Sequence, residues 1–229
     1  MTVLTAMQAA AQRLMGYKPS TFFGSSETFE NDLCDLVNEV ATDAAEYRDW
    51  QALIRTGVIT GDGTTTAFDL PADYARMMVN SELFDGPAWL FGFTHVEDMN
   101  QFLFLQARGF QPTPGAWAIF GDQLNFTPAP SDGQTATFPY VSKYWANGTK
   151  AAFDNDADTF ALPERLLTLG LVWKWRQNKK LDYTGDDTAY SDALSFYGAK
   201  DGGSKVIRRS SRLRFANVPL AWPWPLGSQ

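Results

Sequence analysis

Asp154, Asp156 and Asp158 alternate in the stretch D-N-D-A-D, the spacing that opens an EF-hand calcium loop. Such a loop needs glycine at its sixth position for a sharp turn and a bidentate glutamate at its twelfth. Those positions hold Thr159 and Arg165, so the cation chemistry fails. The stretch reads instead as a solvated acidic loop near a helix N-terminus. The chain has one histidine, His95, and one cysteine, Cys34. With one of each, the usual zinc, haem and Cys/His nucleophile constellations and an intrachain disulfide are excluded. His95 lacks a partner nucleophile or metal, and Cys34, between Leu33 and Leu36, reads as a small hydrophobe. Carboxylate pairs for glycoside hydrolysis are conceivable, but an acidic helix face accounts for the same residues. No Gly-rich phosphate loop, G-x-S-x-G elbow or H-E-x-x-H occurs. No catalytic set, metal or cofactor is expected.

The strongest signal for binding lies toward the C-terminus. Lys200, Lys205, Arg208, Arg209, Arg212 and Arg214 fall in the last thirty residues against only Asp201, although the net charge of the chain is −7. This asymmetry, an acidic body with a basic tail, is that of an interaction arm. The alternation Arg212, Leu213, Arg214, Phe215 suits an extended strand that adds to a sheet or lies in a groove. Trp222 and Trp224 are each followed by proline, placing large apolar anchors on a stiff backbone that loses little entropy on docking. A tail folded back on its own body is one alternative. A nucleic-acid arm whose arginines neutralise phosphates is another.

These residues need a scaffold, and the chain is organised around the stretch from Thr159 to Tyr183. Pro163 stands where a first helical residue belongs, with Glu164 at the positive pole of the helix dipole. Leu162, Leu166, Leu169 and Trp173 form one stripe, and Leu167, Leu171 and Trp175 a second, so this helix should be packed from two sides. Leu4 to Met15 reads as a short helix with Thr2 or Thr5 as cap and Gly16 past its end. From Ser26 to about Arg55 the periodicity predicts one helix of about 25 residues, a second wall against the central one. Asp186 to Phe196 predicts a further short helix, and Gly198 to Ser204 reads as a linker.

Between Thr56 and Trp145 the grammar changes to β-rich runs broken by turns. W-A-I-F, Gly121-Asp122 and Q-L-N-F-T predict a hairpin, and a strand follows from Thr135 in which Pro139 points to an edge position or a bulge. Thr94 and Glu97 have capping-box spacing for a helix reaching Arg108. The expected fold is α+β: a helical bundle (residues 1–55 and 146–198), an inserted small antiparallel β domain with one short helix (56–145), and a linker with an extended C-terminal arm (199–229). With 229 residues, 45% hydrophobic, the chain can bury a real core. No apolar run reaches the length of a membrane span, and no secretory signal is expected.

In this order, V-N-E-V-A-T-D-A-A-E-Y-R-D-W-Q-A-L, F-D-L-P-A-D-Y-A-R, W-A-I-F-G-D-Q-L-N-F-T-P-A-P and F-A-L-P-E-R-L-L-T-L-G-L-V-W-K-W resemble the head-to-tail adaptor (connector) proteins of tailed bacteriophages, in particular the tail tubular protein A type. The resemblance runs from about Phe29 to Tyr197. It implies a structural protein at the head–tail junction of the virion, assembled in the host cytoplasm. About a dozen copies would form a ring beneath the portal protein, with DNA passing through the lumen without specific binding. Arg208, Arg209, Arg212, Arg214, Phe215, Trp222 and Trp224 would then be the portal-docking arm. The β domain would face the next tail component, a nozzle or tail tube terminator, or the fibres. Trp50, Leu70, Pro71, Leu162 and Pro163 would mark where helical and β parts meet. A different reading is a glycan-binding or glycan-cleaving tail protein, with Trp89, Phe91 or Trp117 stacking on sugars.

Overall fold

The computed structural model describes residues 2–78, 83–85, 93–107 and 115–202. Helix α1 (Val3–Met15) begins after Thr2 and stops at Gly16, whose φ of 79° is the left-handed cap that glycine adopts without steric cost. Thr2 makes no side-chain cap; its carbonyl accepts the Thr5 hydroxyl instead. Helix α2 (Thr28–Glu46) is shorter than its periodicity predicts. It ends because Trp50 turns back and donates its indole N–H to the Ala44 carbonyl at 2.7 Å, capping an otherwise orphan acceptor. A 3-10 turn (Gln51–Leu53) follows, and Ile54, assigned to the helix by periodicity, opens strand β1 (Ile54–Thr60).

Helix α4 (Glu164–Asn178) starts at Pro163 as expected and packs against α1, α2 and α5 (Thr184–Asp201). Two of its residues show how. The Thr168 hydroxyl donates to Ala6 O of α1, while Gly170 lies against Val40 of α2. Two residues of helix rotate by about 200°, so α1 and α2 occupy opposite sides of α4. Val3, Met7, Leu33, Val37, Val40, Leu166, Leu167 and Leu171 are fully buried in the resulting core. Helix α5 runs further than predicted: Gly198 is buried within it, and Asp201 accepts the Gln51 backbone N–H at 2.8 Å. The expected linker therefore cannot begin before Gly202. Gly198 lies against Arg48, whose Nη1 would stand 3.0 Å from a Cβ placed there.

The β strands are β2 (Ala67–Asp69), β3 (Tyr74–Met77), β4 (Phe84–Asp85), β5 (Thr94–His95), β6 (Ala116–Phe120), β7 (Gln123–Thr127) and β8 (Thr135–Ser142). One sheet has the order β1-β8-β3, with β4 also on β8; the other is β2-β7-β6-β5. The predicted hairpin is β6–β7, turned by Gly121 and Asp122, both at φ near +60° as a two-residue primed turn requires. Ile59, Phe93, Leu124, Phe126 and Phe138 are buried between the sheets in a second core. Gly57 faces Phe138 across the β1–β8 pair because any Cβ there would strike the phenyl ring at 2.4 Å.

Three β-region expectations are corrected. Pro139 sits in a central strand, not an edge, since β8 is paired on both sides. Its carbonyl accepts from Met78 N, so the N–H it lacks would face the same side, where β3 ends at Met77 and β4 starts only at Phe84. The register shift falls in β3, between Tyr74 and Arg76, rather than at the proline. The predicted capping box does not form: Thr94 and His95 pair in parallel with β6, so the second sheet is mixed. Helix α3 (Met99–Ala107) begins after Asp98, whose carboxylate accepts Asn100 N. Arg108, its expected end, lies outside the described residues.

Candidate functional site

The expected arm residues Arg208, Arg209, Arg212, Arg214, Phe215, Trp222 and Trp224 lie outside the described residues. The described chain ends at Gly202, held beside α2 by the Asp201–Gln51 hydrogen bond and by Arg48 packed on Gly198. All 26 carboxylates of the chain stand at or before Asp201, so the charge boundary seen in the sequence falls at the end of α5.

Asp156 and Asp158 of the aspartate triplet form a structural clasp, while Asp154 is solvated, its side chain 68% exposed and paired with Lys150. Asp156 accepts the backbone N–H groups of Phe22 and Phe23 and the Thr21 hydroxyl. Asp158 is buried and accepts from Asp154 N, Asn155 N and the Asn147 amide, with Lys150 3.4 Å away. Burial alone would raise the Asp158 pKa, but these donors outweigh it and hold the carboxyl below its ordinary value. The main chain of the loop takes the place of an N-cap side chain for α1: Val3 N donates to Asp158 O at 2.7 Å and Leu4 N to Asp156 O at 3.3 Å. Asn38 of α2 anchors the loop from the other side, exchanging two hydrogen bonds with the Phe153 backbone. The carboxylates of Asp156 and Asp158 are thus committed to donors of the protein itself.

Trp117 is buried at 2% exposure, with the His95 ring stacked on it at 4.3 Å, so it offers no face to a sugar. Trp89 and Phe91 lie outside the described residues. Cys34 is partly buried on α2; burial, followed by Asp156, Asp35 and Glu30, pushes its thiol up to about 11. That is the behaviour of a packing residue rather than a nucleophile. Leu162 is buried at the entry to α4, and the Pro71 carbonyl accepts from Tyr74 N in the turn leading into β3.

What the described surface offers is contact area. A groove of about 450 Å³ runs between α1, the start of α4 and α5, lined by Ala9, Arg13, Arg165, Thr168 and Tyr197. Phe196, edge-on to Tyr197, is 63% exposed. Arg13 and Arg165 are exposed and have no salt-bridge partner among the described residues. On the opposite flank of α4, the outer side of α2 presents Asp35, Glu39 and Glu46 to solvent. Glu39 is engaged by Lys174 of α4 at 2.8 Å; Asp35 and Glu46 have no salt-bridge partner among the described residues. A second cleft, about 390 Å³, lies where α2 meets β3 and β8, beside the Arg76–Asp49 ion pair.

A family model described as SU10 adaptor protein matches residues 1–222. The chain belongs to that family. It is thus a phage structural adaptor, and the match spans both cores and continues through Arg208, Arg209, Arg212, Arg214 and Phe215 to Trp222, stopping short of Trp224. No curated protein matches the adaptor chain. Sequence reasoning had singled out the C-terminal segment but not Arg13, Arg165 or Phe196. Arg165 carried a readable sign: a cation in the first turn of a helix opposes the dipole and so calls for another reason to be there. Arg13 and Phe196 carried none, and the meeting of Arg13 with Arg165 in one groove depends on how the helices pack.

Proposed function

We propose that this adaptor is of the tail tubular protein A type and forms a ring between the portal protein and the tail. About twelve copies close head to tail through heterologous contacts, and the genome passes through the lumen. The helical elements build the wall of the ring, and the two-sheet part inserted between α2 and α4 meets the next tail component. The segment beyond Gly202, with Arg208 to Trp224, docks on the portal. The carrying observation is the family match over residues 1–222. The charge separation supports it: an acidic body repels the passing DNA and keeps it from sticking, while the basic segment carries the charge to engage a partner.

Electron microscopy tests this reading. Full-length protein and a version ending at Gly203 are each mixed with the portal protein of the same virus. Rings on the portal with the full-length chain alone are expected. Equal decoration by the truncated chain would remove the docking role from the C-terminal segment, and no decoration by either would remove the portal as partner.

A further inference from the structure

The groove between α1, α4 and α5 sets two exposed arginines, Arg13 and Arg165, beside Tyr197 in a body dominated by carboxylates. We propose that this groove is one half of the contact between neighbouring copies, and that it receives the outer face of α2 from a second copy through Asp35, Glu39 and Glu46. The inference rests on the ring reading above and adds which faces meet.

Three observations select a second copy as the occupant. The charges are complementary: Arg13 and Arg165 on one surface, carboxylates on the other, with Asp35 and Glu46 free of salt bridges among the described residues. Glu164, also in the groove, lies in the first turn of α4, where the backbone N–H groups offset its charge. The placement is that of a head-to-tail repeat. Thr168 faces α1 and Gly170 faces α2 from opposite sides of α4, so the two surfaces point away from each other and cannot meet within one chain. Two distinct complementary patches on divergent faces are what a heterologous interface uses, and it closes into a ring if the rotation allows. The shapes also suit each other. Asp35, Glu39 and Glu46 recur at helical spacing and so share one exposed stripe of α2, and the surface that would receive it is a hollow between helices with Tyr197 in its lining.

Charge reversal on each face provides the test, with assembly on the portal read by electron microscopy and native mass spectrometry. Arg13→Glu/Arg165→Glu and Asp35→Lys/Glu46→Lys each set like charges against one another. Each should raise the protein concentration needed for ring formation by about a hundredfold or more. The quadruple variant, with both faces reversed, should assemble again, and so should an equimolar mixture of the two double variants as an alternating ring. A merely misfolded variant could not be rescued in this way, and circular dichroism of each isolated chain checks its fold. Assembly of either double variant at wild-type concentration would overturn the proposed contact, as would a folded quadruple variant that stays unassembled. If wild-type protein forms no ring on the portal, the ring reading itself fails and takes this contact with it.

Discussion

Replacing Gly170 with alanine should destabilise the adaptor, although the same change in an ordinary helix interior stabilises by about 1 kcal/mol. The reason is the approach of α2 to α4. A Cβ on Gly170 would stand 2.3 Å from Val40 Cγ1 and 3.1 Å from Tyr190 Cε2. Carbon atoms pack at roughly 3.5–4.0 Å, so α2 would have to retreat by more than about 1 Å, whereas Tyr190 need yield only a few tenths of an ångström. Overpacking of this kind costs about 1–3 kcal/mol, and with the Val40 overlap near the upper end of that range, subtracting the propensity gain of about 1 leaves a net loss of up to roughly 2 kcal/mol. For a chain of this size that lowers the melting temperature by up to about 8 °C. The decisive measurement is the same substitution in a Val40→Ala background, followed by urea unfolding monitored by circular dichroism. There the obstructing methyl is gone, and Gly170→Ala should become neutral or stabilising by up to ~1 kcal/mol. A change of sign between the two backgrounds is the expected result. If Gly170→Ala stabilises both, the close helix contact does not exist and the packing of α2 on α4 is misdescribed.

Asp156→Ala should cost about 2–3 kcal/mol, because two backbone N–H groups and a hydroxyl lose a charged acceptor. Amide hydrogen exchange at Phe22 and Phe23 should accelerate; unchanged protection there would refute the clasp. Asp158→Asn tests the depressed carboxyl: since the folded pKa lies below the ordinary 3.8, its contribution is fully present above that pH and is lost as pH falls through the folded value. The stability gap between wild type and Asp158→Asn should accordingly close in strong acid, and a gap independent of pH would argue against it. Cys34, pushed up to about 11, is roughly one part in a thousand thiolate at pH 8. Its alkylation by iodoacetamide in the folded protein should be at least about a hundredfold slower than that of free cysteine, and should recover in denaturant.

The helices were legible because their signals are local. The Pro163–Glu164 start and the double leucine stripe of α4 depend on residues within a turn or two of each other, and both hold in the structure. The end of α2 was not legible, since the periodicity runs on while the stop comes from Trp50 reaching back to the Ala44 carbonyl, a contact that no spacing rule encodes. Strand order was hidden for a related reason: Pro139 looks like an edge residue until its missing donor is seen to face the space between two short strands on one side of β8. The aspartate triplet misled in the other direction. Its composition is that of a solvated loop, and for Asp156 only the arrival of residues 21 to 23, more than a hundred positions earlier, turns the carboxylate into an acceptor for amides. The groove on α1, α4 and α5 belongs to the same class, assembled from three segments whose sequences do not announce one another.

The clasp that closes the first turn of α1 also sets an order of events during synthesis. Val3 and Leu4 donate to carbonyls of residues 158 and 156, and Ala6 accepts from Thr168, so α1 has its partners among segments made more than a hundred residues later. At typical elongation rates α1 must wait on the order of ten seconds or more before its contacts exist, while the intervening strands can already pair with one another. The helix is suited to that delay. Of the five residues it buries, three are alanines, Ala6, Ala10 and Ala11, which expose little sticky surface before docking. A chain released before α4 is finished therefore leaves α1 without the partners that close its first turn.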